Sequence, residues 1–277
     1  MSSPHGLTPA FLREIPKTDL HVHLDGSIRL STLMELAEEQ DIELPADTPE
    51  GMRQSVFKPS YANLVEYLAG FRYTDAVMST EVALERVAYE FAVDNYEEGV
   101  FYFEVRYAPQ LHANLEMGVR EVILAVDRGL RRARDEYNAK DGHGDAAQQA
   151  QQAEAKEGGG GGGGGGGGSG GKPRREYGII CCALRMFGPM FSPYYHMFCE
   201  AHKNEDEGRV QGLASRALVS AIIALRAEER EAGRELPVVG VDIAGAEDGY
   251  VGESLYYSVC GAKYVTLRNE NFHLAET

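Results

Sequence analysis

Apolar and polar positions alternate along Lys17-Thr18-Asp19-Leu20-His21-Val22-His23-Leu24-Asp25-Gly26-Ser27. A period of two reads as a strand, with His21 and His23 on one face and Leu20 and Val22 on the other. The Asp-Gly-Ser that follows turns the chain at the strand's C-terminal end. The period then lengthens. Thr32 to Glu35 has the form of a capping box and predicts a helix running to about Gln40. Residues 41–59, with prolines at 45, 49 and 59, predict irregular chain. From Ser60 to about Tyr73, Leu64, Tyr67, Leu68 and Phe71 recur at helical spacing. Glu81 to Glu98 is the clearest helix, since Leu84, Val87, Ala88 and Phe91 repeat at three and four and Gly99 follows as a stop.

Val100 to Tyr107 reads as a buried second strand, closed by Pro109. Glu104 and Arg106 within it are expected to pair with each other or with polar groups inside the fold, because an unpaired buried charge is costly. Val119 to Tyr137 predicts a further helix, and Tyr177 to Arg185 a third strand. Pro193 to His202 and Val210 to Gly233 are helical by spacing. Leu236 to Gly245 gives a fourth strand with its turn, and the chain beyond Tyr264 a fifth strand ending at His273. Near-continuous apolar strands alternating with helices predict an α/β fold with a parallel sheet.

One stretch breaks the pattern. Residues 141–172 hold a Gln/Ala-rich tract and an uninterrupted glycine run from 158 to 168. Glycine has the most backbone entropy to lose, so this stretch is expected to be a disordered insertion between a helix and the third strand. It lacks the punctuation of a phosphate-binding loop.

Composition narrows the function. The 277 residues, 43% of them hydrophobic, suffice for one large domain. A formal net charge of −16 argues against nucleic acid as a partner, which needs clustered Lys and Arg. No apolar run follows a basic start in residues 1–16, and no stretch approaches the roughly 18 apolar residues of a membrane span. A cytoplasmic enzyme acting on a neutral or cationic small molecule is the expectation. Cys181, Cys182, Cys199 and Cys260 make no Cys-x-x-Cys pair, so they indicate neither a structural zinc site nor a disulfide framework. They also exclude the deaminase design in which Pro-Cys-x-x-Cys holds the metal.

The candidate chemistry starts with His21 and His23, two imidazoles on one strand face that can share a metal ion. By itself a His-x-His is more often two half-exposed strand residues. The whole string from Pro16 to Ser27, however, resembles the first-strand motif of the adenosine deaminase family, among the metal-dependent amidohydrolases. Gly99 to Pro109 resembles that family's second strand, and Val241-Asp242-Ile243-Ala244-Gly245-Ala246-Glu247 its fourth. His273-Leu274-Ala275-Glu276 resembles the end of its fifth strand, His-Ala-Gly-Glu, with two departures, Leu274 for alanine and Ala275 for glycine.

The resemblance implies a TIM-type (β/α)8 barrel, of which about five of the eight units lie in these 277 residues as a single domain. It implies a zinc ion held by His21, His23 and His273, with Glu276 as proton donor. It further implies that His23 and Asp25 contact the ribose 5′-hydroxyl and that the Gly245 N–H meets a purine ring nitrogen. The stretch around Leu64 to Phe71 would lid the pocket with an apolar wall. The implied reaction is hydrolytic deamination of adenosine, and of 2′-deoxyadenosine, to inosine and ammonia. Family members that act on free adenine tend to carry Glu at the position of Asp25, which favours a ribosyl substrate. An adenine or modified-nucleoside deaminase and a non-catalytic product are the alternatives. The family's sixth and eighth strands carry a His and an Asp pair with no counterpart here, so this length of chain is expected to be a poor catalyst.

Overall fold

The computed structural model describes residues 7–143 and 172–245, together with the two-residue strand 265–266. Five strands form one sheet in the order β1 (Lys17–His23), β2 (Val100–Tyr107), β3 (Glu176–Leu184), β4 (Val238–Ala244) and β5 (Val265–Thr266). The pairings β1–β2, β2–β3 and β3–β4 are parallel. Each parallel step is crossed by helices, chiefly α6 (Glu81–Glu97), α8 (Val119–Lys140) and, once the shorter helices are counted, α10 (Glu207–Glu231). The shorter ones are α1 (Pro9–Glu14), α2 (Leu30–Glu39), α3 (Pro49–Ser55), α4 (Leu64–Leu68), α5 (Phe71–Val77), α7 (Pro109–His112) and α9 (Pro193–Ala201).

The parallel α/β reading therefore holds for β1 to β4. The fifth strand departs from it: Val265 and Thr266 pair antiparallel with Val241 and Gly240. An antiparallel neighbour can satisfy an open strand edge without the covering crossover that a parallel one requires. His273 and Glu276 lie outside the described residues.

Alternate residues of the strands divide the work. Phe103, Val105 and Tyr107 on β2, with Ile179, Cys181 and Ala183 on β3, are buried in the main core alongside Leu84, Phe91, Val126 and Leu130. The other face of β2 presents Tyr102, Glu104 and Arg106. Tyr102 donates to Glu104 at 2.9 Å, and Arg106 pairs elsewhere, so the two charges of this strand do not partner each other. α6 and α8 approach so closely that a Cβ on Gly129 would lie 2.2 Å from the Glu85 carbonyl oxygen. Gly99 has φ +86°, a conformation glycine adopts at little cost, and it ends α6 where the sequence places the stop.

Several local expectations are corrected by tertiary contacts. α2 begins at Leu30 with Arg29 as an uncapped N-cap. Thr32 is buried and donates to Glu90 at 2.5 Å, while Glu35 pairs with Arg86, so the capping-box pattern is spent on the α2–α6 contact. Within 41–59, Thr48 caps a short helix over Pro49–Ser55, with proline in its first turn. The helix expected over 60–73 is two, α4 and α5, parted at Ala69 and Gly70. Among the described residues, α10 is one helix long and apolar enough, by length and composition alone, to cross a membrane. Its Leu218, Ile222 and Leu225 are buried in the main core.

The insertion is gathered at its base. Asp141 pairs with Lys172 and with Arg175, each at 3.0 Å, and the His143 ring is 2.6 Å from the Lys172 carbonyl oxygen. Arg175 is 5% exposed and exchanges two hydrogen bonds with Asn138, at 2.8 and 3.0 Å. This base sits before the N-terminal end of β3. Residues 144–171, the bulk of the expected disordered segment, lie outside the described residues.

Candidate active site at the C-terminal ends of the strands

The last residues of β1 build the site. His21 and His23 have ring centroids 5.6 Å apart, as expected for one strand face. The opposite face is less regular than alternation predicts. Val22 packs on the main core, but Leu20 is 54% exposed, and the β1–β2 register shifts between Asp19 and Val22. The turn after His23 is fixed by its own polar groups: Ser27 Oγ donates to the His23 carbonyl at 2.6 Å, and Ser27 N–H to the Leu24 carbonyl at 3.1 Å. Leu24 is fully buried and anchors the turn to the core.

Asp25 is buried, and its Oδ1 accepts the Gly26 N–H at 3.0 Å and lies 3.7 Å from His23 Nδ1. Burial pushes its carboxyl up to about 6, against the pull of the backbone hydrogen bond. His23 is shifted the other way. Burial, the neighbouring His21 and the positive charge of Arg106 all lower it from its ordinary value, with Asp242 opposing. It is therefore a neutral imidazole at pH 7, the form that ligates metals.

Arg106 lies beside His23 in the β1–β2 register. Arg106 is 2% exposed, and its guanidinium pairs with Asp242 on β4 at 2.5 Å and donates to the Leu20 carbonyl at 3.1 Å. Asp242 also accepts the Ile243 N–H at 2.8 Å. Three residues further on, Gly245 ends the strand with φ +106°. A Cβ there would have room, with its nearest neighbour at 3.7 Å. The need for glycine at this turn is therefore conformational.

Aromatic side chains stand over the turn. Phe71 Cζ is 3.6 Å from where a Cβ on Gly26 would lie. Tyr67 stacks edge-on against Phe71 with centroids at 5.4 Å, and Tyr61 against Tyr67 at 5.2 Å. Tyr67 and Leu68 are 43% and 37% exposed, so this stripe faces open space more than core.

His21, His23, Asp25, Arg106 and Asp242 are thus brought together, with Gly245 on the same C-terminal edge. Among the described residues no group of three or more His, Cys, Asp or Glu is placed to hold a metal ion. The sequence reading passed over Asp75 on α5, whose Oδ1 is buried and without a hydrogen-bond partner among the described residues. Its only sequence signal is an acidic residue on the face of α5 that carries Phe71.

Residues 16–143 match the family model of adenosine deaminase. Over 131 residues the chain is 40% identical to the adenosine deaminase of Shewanella pealeana, which covers 47% of this chain and 40% of that enzyme. It is 39% identical over 138 residues to the adenosine deaminase of Xenopus tropicalis, covering 38% of it. The matched region is therefore well under half the length of these relatives. An amidohydrolase from Burkholderia ambifaria, solved with bound Zn, superposes with a TM-score of 0.56 at 17% identity, over 92% of this chain and 50% of the other. An adenine deaminase from Arthrobacter aurescens does so at 0.52 and 15%, over 87% and 52%. At these identities the superpositions speak for the fold alone. The sequence match is of another order: it ties residues 16–143, by likeness, to the adenosine deaminase family.

Proposed function

We propose that this chain serves zinc-dependent hydrolytic deamination of adenosine, and of 2′-deoxyadenosine, releasing inosine and ammonia. The observation that carries the reading is the His21–His23 pair at the C-terminal end of β1, with Asp25 buried beside it, inside the segment that matches the family. In an α/β barrel, that end of the strands is where chemistry is kept. β1 to β4 are read as consecutive units of such a barrel wall.

The two imidazoles fit a zinc ion as far as they go. Their rings are close, His23 is neutral, and the His21 ring makes no hydrogen bond among the described residues. His273 is proposed as a third ligand. Zinc, when bound, would act as a Lewis acid and make water nucleophilic near pH 7. The chain's own groups do the rest. Glu276 would give a proton to purine N1, which makes C6 electrophilic. The Gly245 N–H would orient the ring, and His23 with Asp25 would hold the ribose 5′-hydroxyl. Phe71 and Tyr67 would cover the base and exclude water, favouring a flat aromatic substrate. A cytoplasmic purine nucleoside is the proposed partner, and Asp25 is the residue that favours it over free adenine.

The test is inosine formation by the zinc-supplemented chain, followed chromatographically for hours so that very slow turnover is still read. Inosine and ammonia should appear in equal amounts with the wild type and at least about 10²-fold more slowly with His21→Ala. Equal rates in both proteins, or no inosine above a protein-free control, would overturn the reading.

A further inference from the structure

At the end of the strands opposite the candidate site lies a cleft of about 460 Å³. It opens where Glu176 begins β3 and Val238 begins β4. Leu236, Pro237 and Val239, on the chain entering and beginning β4, give it an apolar lining. Arg131 and Arg134 of α8 and Arg226 of α10 bring three guanidinium groups to the same space.

Two of the three are already engaged. Arg131 pairs with Asp127 at 2.7 Å and donates to the Glu235 carbonyl at 2.7 Å. Arg134 pairs with Asp135 at 2.7 Å and lies 3.7 Å from Glu176. Arg226 differs. It is half-buried, yet its guanidinium makes no hydrogen bond and no ion pair among the described residues. Glu235 acts on it from beyond ion-pair range, while burial and the like charge of Arg230 lower it from its ordinary value. Acids are not scarce, with 43 Asp and Glu against 27 Lys and Arg along the chain. Other arginines of these helices find one: Arg120 reaches Glu228 at 3.0 Å and Arg128 reaches Glu81 at 2.7 Å. A partly desolvated cation with no partner is costly to the free protein, and a ligand that supplies the missing anion removes that cost.

We propose that this cleft is a second binding site, for a phosphate monoester with a small aromatic or aliphatic body. An open guanidinium fork matches phosphate oxygens in geometry and charge. A carboxylate would be satisfied by one fork, whereas a phosphate takes donors from several sides. Arg226 offers its whole fork, and the Nη1 end of Arg131 is not used by Asp127 or Glu235. The volume falls within the roughly 300–1,000 Å³ of small-molecule pockets, so there is room for more than the phosphate, and the apolar lining suits the ester's body. Placed at the far end of the strands from His23 and Gly245, the site is independent of the purine reading.

The experiment measures binding of phenyl phosphate and of inorganic phosphate to the full chain by calorimetry, in zinc-free buffer. The wild type should bind phenyl phosphate at least about tenfold more tightly than inorganic phosphate, through the apolar lining. Arg226→Gln should weaken phenyl phosphate by about tenfold or more. Without ligand the same variant should melt like the wild type, since Arg226 has no partner in the fold to lose. His21→Ala should leave the binding unchanged. The proposal is overturned by a wild type that binds neither probe, or both alike, or by equal affinity in Arg226→Gln. It is also overturned if Arg226→Gln melts well below the wild type, which would place the guanidinium in a structural contact. Loss of binding in His21→Ala would put the ligand at the other end of the strands and overturn it as well.

Discussion

Arg106, rooted on β2, reaches past β3 to place its guanidinium 2.5 Å from the Asp242 carboxylate on β4. Through its second bond, to the Leu20 carbonyl at 3.1 Å, the same side chain holds the backbone just before His21. One buried cation thus ties the strand that carries the histidines to the strand that leads to Gly245. It also favours the neutral form of His23.

Breaking that pair from one side should be costly. Arg106→Met is expected to destabilise the chain by about 3–5 kcal/mol, because it leaves the Asp242 carboxylate desolvated without its partner. Adding Asp242→Leu should restore a large part of the loss. Denaturant titration of the two single variants and the double variant measures the coupling, and fully additive losses would show that the two side chains do not depend on each other.

The close approach of α6 and α8 yields a steric prediction. Gly129→Ala would place a methyl group 2.2 Å from the Glu85 carbonyl oxygen and 2.9 Å from the Ala88 Cβ. Helix propensity alone favours alanine by about 1 kcal/mol, yet the overlap should make the variant less stable by about 1–3 kcal/mol. A gain in thermal stability would mean that the helices part at no cost.

His112 should give the stability curve an acid limb. It is 2% exposed, neither ring nitrogen has a partner among the described residues, and burial lowers its value to about 4. The unfolded chain takes up this proton near pH 6.5 and the folded chain only near 4. The contribution is therefore fully present above about pH 6.5 and lost as pH falls toward 4, by about 3 kcal/mol. His112→Leu should flatten that limb, as read by denaturation midpoints from pH 7 to 4; an unchanged limb would assign it to other groups.

Deleting residues 145–171 should leave stability within about 1 kcal/mol, since loop length enters closure entropy only logarithmically. Asp141 and Lys172 already meet at 3.0 Å at the base of the segment. A loss of several kcal/mol would mean that the glycine-rich stretch carries structure.

Legibility in the sequence followed the range of the forces involved. β2, bounded by Gly99 and Pro109, and α6, with its three-four apolar repeat, could be read because local pattern and burial agree there. The uncapped start of α2 could not, since Thr32 answers to Glu90, 58 residues away. The helix at 49–55 had a readable signal, Thr-Pro-Glu, beneath a run of prolines that suggests loop. In the site, the His21–His23 pair follows from strand alternation alone. The partner of Arg106 does not, because it lies 136 residues ahead on a strand two positions over. Asp75 was least legible, as a lone acidic residue on a short helix becomes notable only once Phe71 is seen against Gly26.

The proposed chemistry depends on whether the β1 histidines hold metal. The measurement is zinc content by elemental analysis after gel filtration, with affinity from competition against a chromophoric chelator, for the wild type, His21→Ala and His23→Ala. The wild type should carry about one zinc ion per chain, and either substitution should abolish its retention while the fold persists. Zinc held at the same stoichiometry and affinity in both variants would contradict the central claim.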